Sequence, residues 1–349
     1  MLKVAFYGVG AIAGMVIKHL LKRGRLRIVA AVDRDPNKIG RDLGVIVGVR
    51  KTLGVPVSGD GEALIKAKPE VTVHAATSRL EEAYTHIMEC VEAGSHVVST
   101  CEELYYPELK SRRSALDLDQ AAKKRGVSIL ATGINPGFMM DTLPILLTAP
   151  CVSVECIRVE RVIDAARRRP SFQSKIGMGL TMEEFHAKVK KGELTGHIGL
   201  EASLAAISHV LELRLSQVYA PPPEPVIVER ELKLCDLTLR AGMVSGLRQR
   251  AVGIHDGVEV LSLELWAYAK PPEEYDSVKI KGEPSLNLKI IGGVHGDLGT
   301  VGMIVNSIPY IMKAPPGLHS MFEAVPVHAL KSGFNRNLTR KHMRFNPQP

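Results

Sequence analysis

The sequence predicts an α/β chain in two parts: a doubly wound parallel sheet, then an α+β part with an open, mainly antiparallel sheet. Three observations predict it. Up to about residue 135, short β-branched runs alternate with amphipathic stretches, as in strands that helices cover on both faces. Beyond about residue 150 the runs lengthen and alternate apolar with polar side chains, the period of half-buried antiparallel strands. A glycine-rich turn joins the first run to the first amphipathic stretch, and 349 residues, 45% hydrophobic and 23% charged, suffice for two cores.

Taken in order, strands are expected at 3–9 (KVAFYGV), 27–33 (RIVAAVD), 71–76 (VTVHAA), 96–100 (HVVST) and 127–134 (VSILATGI). Between them, Ile12, Val16 and Leu20 form a helical stripe over 11–22. Leu80, Tyr84, Ile87 and Val91 form another over 79–93, and a shorter helix covers 114–125. A long strand at 152–163 opens the second part, and 181–213 hold one or two helices. A PPPEP linker at 221–225 precedes a strand at 226–234, an LRQRAVGI strand, an HDG hairpin turn at 255–257 and a strand at 258–269. In this last strand Leu261, Leu263, Leu265 and Ala267 share one face, and Ser262 and Glu264 the other. Two further strands lie between 277 and 291, and 298–312 return to a helical pattern.

Composition bounds the function classes. A net charge of +8 arises from 45 Lys and Arg against 37 Asp and Glu. The basic clusters are KRGRLR (22–27), ARRR (166–169) and the tail around Arg336–Arg344. Aromatics, 5% of the chain, are not interleaved with them, so stacking platforms for bases and a nucleic-acid partner are not expected. No apolar run reaches membrane-spanning length, and the opening MLKVAFYGVG reads as a strand entering a turn, so a soluble, cytoplasmic protein is expected. Cysteines at 90, 101, 151, 156 and 235 show no CxxC and no paired metal spacing, which points to reduced thiols and no metal.

The turn Gly8-Val9-Gly10-Ala11-Ile12-Ala13-Gly14 carries the first chemistry. Gly8 permits a tight turn, Gly10 lets the backbone approach a pyrophosphate, and Ala13 or Gly14 lets helix and strand pack closely. The N–H groups of the helix N-terminus, around Ala11 and Ile12, face the anion. With a strand before it, a helix after it and Asp33 closing the second strand, the turn predicts a Rossmann-type dinucleotide site. Asp33 suits the ribose 2′-OH of NAD, whereas Arg34, with Lys38 nearby, suits the 2′-phosphate of NADP. Both cofactors stay open.

Loops at the carboxyl ends of parallel strands face the ligand crevice. Thr77 and Ser78 leave the third expected strand there; Ser78 also suits the N-cap of the helix at 79–93. Thr100, Cys101, Glu102 and Glu103 leave the fourth. A carboxylate beside a nicotinamide can act as a base or stabilise a cationic intermediate. Two adjacent acids cannot both face the cleft easily, and the sequence does not fix which one does. Asn135, in Asn135-Pro136-Gly137, suits either a turn or a hydrogen bond to the cofactor. His197 and Thr300 are candidates for the substrate pocket. Asn306 lies on an otherwise apolar helix and, if buried, needs the cofactor or a neighbouring helix as partner.

STCEELYYP (99–107), ATGINPGFMMDTLP (131–144), SKIGMGLTMEEF (174–185), GHIGLEAS (196–203) and GVHGDLGTVGMIVNSIPYIMKAPPGL (293–318) together resemble the 2,4-diaminopentanoate dehydrogenase and native amine dehydrogenase family. Its wider relatives share a dihydrodipicolinate-reductase-like N-terminal domain. The resemblance covers nearly the whole chain. It implies reductive amination of a ketone with ammonia and NAD(P)H, and the reverse oxidative deamination. A glutamate of the TCEE-type motif is expected to handle ammonia and the imine, a role that falls on Glu102, with Glu103 in reserve.

On this reading residues 1–140 form the dinucleotide-binding domain, 298–349 pack back on it, and 141–297 form the substrate and dimerisation domain. Arg161 or Arg167–Arg169 can meet a substrate carboxylate, or lie on the outer face of the sheet, which leaves a small unfunctionalised ketone or amine open. The open sheet needs a cover for one face, so a homodimer is expected, although Arg230 and Glu264 place charges within its strands. The competing readings are another NAD(P)H-dependent reductase on the same scaffold and a non-catalytic dinucleotide sensor. A dihydrodipicolinate reductase calls for a His-rich loop and a lysine-bearing SGT-type site, and a sugar dehydrogenase for an EKP-like lysine where Cys101-Glu102-Glu103 stands. The sequence carries neither.

Overall fold

The alternating runs of the N-terminal part pair into one parallel sheet. The computed structural model describes residues 1–24, 26–49, 52–234 and 237–323. Cys235, Arg25 of the first basic cluster, the basic tail and residues 324–349 of the expected C-terminal return lie outside them. The first six strands are β1 (Leu2–Tyr7), β2 (Leu26–Val32), β3 (Val57–Ser58), β4 (Val71–His74), β5 (His96–Ser99) and β6 (Ser128–Ala131). The helices among them are α1 (Ala11–Arg23), α2 (Leu43–Ile46), α3 (Glu62–Ala67), α4 (Leu80–Glu92) and α5 (Glu108–Arg125). With β16 (Gly317–His319) the strands order as β16-β6-β5-β4-β1-β2-β3, each pair parallel. The chain runs one way from β1 to β3 and the other way from β4 to β6. The switch between β1 and β4 therefore opens a crevice at their carboxyl ends.

Burial explains the helices. On α1, Val16, Ile17 and Leu20 face the sheet, each contributing roughly 1.5–3 kcal/mol of transfer free energy. Ile12, expected on that stripe, is only half-buried and turns toward the crevice. On α4, Leu80, Ile87 and Val91 are buried as expected, joined by Ala83, His86 and Cys90, while Tyr84 is half-exposed. Helix α5 starts at Glu108, well before residue 114, and contains a break in helical geometry at Ser111. Sequence periodicity missed β3, α2 and α3, which are too short to show one.

The second part is a mixed sheet. Its strands are β7 (Ser153–Asp164), β8 (Gln217–Tyr219), β9 (Glu224–Ile227), β12 (Val244–His255), β13 (Val258–Tyr268), β14 (Tyr275–Glu283) and β15 (Leu286–Ile291). They order as β15-β14-β7-β13-β12-β8, with β9 also on β12. Only the β7–β13 pair is parallel; the rest are antiparallel. The expected strand at 226–234 is a correction: it splits into β9 and β10 (Leu232–Lys233), which forms a separate ribbon with β11 (Thr238–Leu239). The PPPEP segment is no plain linker either, since Glu224 and Pro225 pair with Arg248 and Leu247.

Leu261, Leu263, Leu265 and Ala267 all face inward and are buried, as their period of two requires. They pack in one core with α9 (Leu200–Val210), while α6 (Thr142–Leu147), α7 (Pro170–Lys175) and α8 (Met182–Lys190) complete that part. The opposite face presents Glu160, Arg248, Arg250, Glu264 and Trp266, where Arg248 pairs with Glu264 at 2.5 Å and lies over the Trp266 ring. Helix α10 (Gly296–Ile311) and β16 return to the first core, which Val301, Ile304, Val305, Ile308 and Ile311 join. Helix α9 serves both cores: Ala202 and Ala206 face the first, Leu200, Leu204 and Ile207 the second. Among the described residues, no helix is long and apolar enough to cross a membrane.

Candidate active site

A cleft of about 430 Å³ lies where the two cores meet, at the carboxyl edge of the parallel sheet. Its floor is the glycine turn. Gly8 sits at φ +88°, and a Cβ there would lie 2.6 Å from the Ala76 backbone, so no other residue fits without moving β4. A Cβ on Gly10 would meet nothing within 4 Å, which leaves the backbone open to a ligand. Gly10 is also the N-cap of α1 and offers no side-chain cap, so the first N–H groups of that helix face the cleft uncapped. On the facing loop, Asn135 Oδ1 is buried without a hydrogen-bond partner. An open cradle and an orphaned acceptor both suit a dinucleotide, its phosphates on the helix N-terminus and its carboxamide N–H on Asn135.

Asp33 stands beside the turn and is already engaged. Its Oδ2 accepts the N–H of Val9 at 2.7 Å and the Lys38 ammonium at 2.9 Å, and its Oδ1 accepts the N–H of Asp35 at 2.9 Å. Burial pushes this carboxyl upward, but those donors outweigh it and hold it below the usual range. Arg34 is exposed and makes no ion pair among the described residues.

The other edge carries the acids. Thr77, Ser78, Thr100, Cys101 and Glu102 all line the cleft. Thr77 Oγ1 accepts the N–H of Arg79 at 3.2 Å and donates to Glu82 at 2.6 Å. Ser78 is not the N-cap of α4. That position is Arg79, which makes no side-chain cap. Glu103 corrects a second expectation, because it does not line the cleft. Its Oε2 accepts the Leu80 N–H at 2.8 Å, so it caps α4 from outside the helix, with Lys110 at 3.7 Å. Adjacent residues in the tight turn 103–105 point different ways, so only one acid of the pair enters.

Glu102 is the one that enters. Its Oε1 lies 3.5 Å from Lys175 Nζ, and its Oε2 is 3.3 Å from the Ile198 N–H and 3.8 Å from His197 Nδ1. Burial drives His197 down to about 4, against the pull of Glu102, so the imidazole is neutral at physiological pH. Gln249 holds it by its own peptide, accepting the His197 N–H at 2.7 Å and donating to its carbonyl at 2.9 Å. Gly196, at φ +64° and packed on Gln249, makes that approach possible. Burial also pushes the Cys101 thiol up to about 12, which leaves it a thiol rather than a nucleophile.

Thr300 lines the cleft, where its hydroxyl accepts the Ile134 N–H at 3.3 Å. Asn306 does not. It is exposed on the outer side of α10, opposite the buried Val301, Ile304, Val305 and Ile308, so the cofactor role expected of it is withdrawn. The far wall is cationic. Arg161, fully buried, pairs with Asp276 at 2.6 Å and donates to the Val294 carbonyl at 2.8 Å. Arg168 pairs with Asp297 at 2.9 Å, and Arg169 lies 3.4 Å from the same oxygen. Arg167 is 82% exposed and outside the cleft. Sequence reasoning missed Lys175, Ile198, Gln249 and Phe172. None has a local signal, since each arrives from the second part through the fold.

The fold and cleft define a two-part, dinucleotide-binding dehydrogenase architecture, with the Glu102 carboxylate in the cleft and the Asp297 carboxylate tied to arginines on its wall. Comparison with known proteins narrows the class. Residues 138–340 match the family model described as the 2,4-diaminopentanoate dehydrogenase C-terminal domain, and residues 2–103 the dihydrodipicolinate reductase N-terminus. The 2,4-diaminopentanoate dehydrogenase of Acetoanaerobium sticklandii is 31% identical over 344 residues, 95% of this chain and 96% of that one. An amine dehydrogenase of Streptomyces virginiae is 24% identical over 93% of this chain and 96% of its own length. The structure of an amine dehydrogenase from Mycobacterium smegmatis superposes with a TM-score of 0.79 at 27% identity, covering 92% of this chain and 95% of that one. The chain belongs to the 2,4-diaminopentanoate dehydrogenase family.

Proposed function

We propose that this protein is an NAD(P)-dependent amine dehydrogenase, with Glu102 as the carboxylate that works on the amine nitrogen. The observation that carries this reading is the position of Glu102, alone of its pair in the cleft, across from the uncapped helix N-terminus and the orphaned Asn135 oxygen. A bound nicotinamide supplies the hydride acceptor or donor. Oxidation of R2CH–NH2 removes a hydride from carbon and leaves an iminium cation; water then adds, and ammonia departs with the ketone. Glu102 stabilises the cation and takes the proton of the attacking water. In reductive amination the same oxygens accept a proton from ammonium and return it when the carbinolamine loses water. Lys175 and the Ile198 N–H hold the carboxylate in place, and neutral His197 walls it without competing for charge.

The division of labour follows: residues 1–140 with 298–323 bind the dinucleotide, and 141–297 hold the substrate and the dimer contact. Asp33 is occupied by Val9, Asp35 and Lys38, whereas Arg34 beside it makes no ion pair among the described residues, which favours NADP over NAD. Arg169, the most exposed arginine of the cleft wall, suits a substrate with a carboxylate, such as the 2,4-diamino acid for which the Acetoanaerobium relative is named, while Arg161 and Arg168 are tied to Asp276 and Asp297. The Trp266-bearing face of the open sheet is the proposed two-fold contact. Amine-dependent reduction of NADP, with one free ammonia released per reduced cofactor, tests the reading. Reduction without ammonia release refutes it.

A further inference from the structure

Beneath the Glu102 turn runs a buried polar chain that the proposed chemistry does not use. Ser99 ends β5, and its Oγ accepts the Cys101 N–H at 3.0 Å. The same Oγ lies 2.8 Å from His74 Nδ1, and His74 Nε2 lies 3.2 Å from His86 Nδ1. His86 stacks on the Tyr7 ring at 4.4 Å, and the Tyr7 hydroxyl donates to Glu89 at 2.8 Å. Ser99 and His74 are fully buried, and His86 nearly so. The charges that act on His86 are Arg34 and Glu82, while His74 feels only His86.

One direction of the chain gives every shared atom a matched donor and acceptor. The Cys101 amide can only donate, so Ser99 Oγ accepts there, and the Ser99 proton goes to its one other partner, His74 Nδ1. His74 must then carry its proton on Nε2 and give it to His86 Nδ1. That assignment satisfies each shared atom, leaves both rings neutral, and puts the His86 proton on Nε2, which is buried and has no hydrogen-bond partner among the described residues. Two imidazoles inside a sheet-helix layer cost desolvation that apolar side chains avoid. What they gain is local. At the carboxyl end of β5 the chain leaves the sheet, and the Ser99 hydroxyl, held in one rotamer by His74, turns Cys101 and Glu102 back into the cleft.

We infer that Ser99 and His74, backed by His86, are positioning residues for the Glu102 carboxylate, acting through the Cys101 amide. This rests on the role proposed for Glu102. Displacement of a reacting group by about 1 Å can cost on the order of a hundredfold in rate, so S99A is expected to lower kcat for amine oxidation by about ten- to a hundredfold. The Kd for the dinucleotide, bound mainly at the glycine turn, should stay within about twofold. S99T keeps the hydroxyl, and H74N keeps an acceptor where Nδ1 stood; both should recover most of the rate, whereas H74L should not.

Kinetics of the four variants, with dinucleotide titration and thermal melts, read this out. Lowered melting temperatures with kcat and KM unchanged in S99A and H74L would overturn the inference, because the chain would then serve stability alone. Nitrogen NMR of the histidines in the unmodified protein gives a readout that needs no variant to fold. Protonation of His74 on Nε2 supports the chain, and protonation on Nδ1 overturns it. An absence of amine oxidation in the unmodified protein would instead sink the proposed function, while the tautomer result would stand.

Discussion

Replacing Glu102 by Gln keeps the shape and hydrogen-bonding reach of the side chain and removes its charge. The iminium formed in oxidation is a full cation in a cleft that holds Glu102 beside Lys175, at 3.5 Å. At about 4 Å and an effective dielectric near 20, a carboxylate stabilises such a cation by roughly 4 kcal/mol. Lys175 offsets part of this, and Glu102 retains 17% exposure, so about half is a sound expectation. Loss of proton transfer adds its own factor, typically about a hundredfold or more. E102Q should therefore lose on the order of 10³–10⁴ in kcat, with dinucleotide Kd within about twofold. The assay is the rise of reduced nicotinamide absorbance with saturating amine. E103A is the paired control: it removes a helix cap worth about 1 kcal/mol, lowering the melting temperature by about 2 °C with kcat preserved. An E102Q enzyme within about threefold of the unmodified rate, or an E103A enzyme as slow as E102Q, refutes the assignment.

Three other outcomes follow from the structure. Burial drives His74 down to about 3, and His86 and His197 down to about 4. The unfolded chain therefore binds more protons as pH falls below about 6.5, and each histidine withdraws roughly 2 kcal/mol of stability by pH 5. Urea melts at pH 7 and pH 5 should show a clear loss at the lower pH, and coincident curves would contradict the burial of these rings. R34A should raise the KM for NADP by about tenfold and leave that for NAD within about twofold, because only a 2′-phosphate needs the guanidinium; equal effects on both would assign Arg34 no part in selection. Light scattering should give about twice the chain mass of 38.0 kDa, and a monomer at micromolar concentration would remove the proposed sheet contact.

The parts of the molecule legible in sequence are those in which neighbours along the chain do the work. The glycine turn, Asp33 at the end of the second strand and the alternation from Leu261 to Ala267 each encode local geometry, and each stands where that geometry requires. The Asn306 side follows from the same helical periodicity, since the buried stripe of α10 runs through Val301, Ile304, Val305 and Ile308 and leaves Asn306 opposite. Glu102 and Glu103 could not be separated this way. Their directions depend on Leu80, Lys175 and Ile198, which come from other parts of the chain. Lys175, Gln249 and the His74–Ser99 pair were likewise silent in the sequence, because a partner supplied by tertiary packing leaves no spacing to read.

The most direct measurement is turnover of a small panel of ketones, including a 4-oxo amino acid, with NADPH in the presence and absence of ammonium. Amine formed only with ammonium, matched mole for mole by NADPH oxidised, is the outcome that Glu102 and the cleft around it imply. NADPH consumed without ammonium, with an alcohol as product, would contradict it.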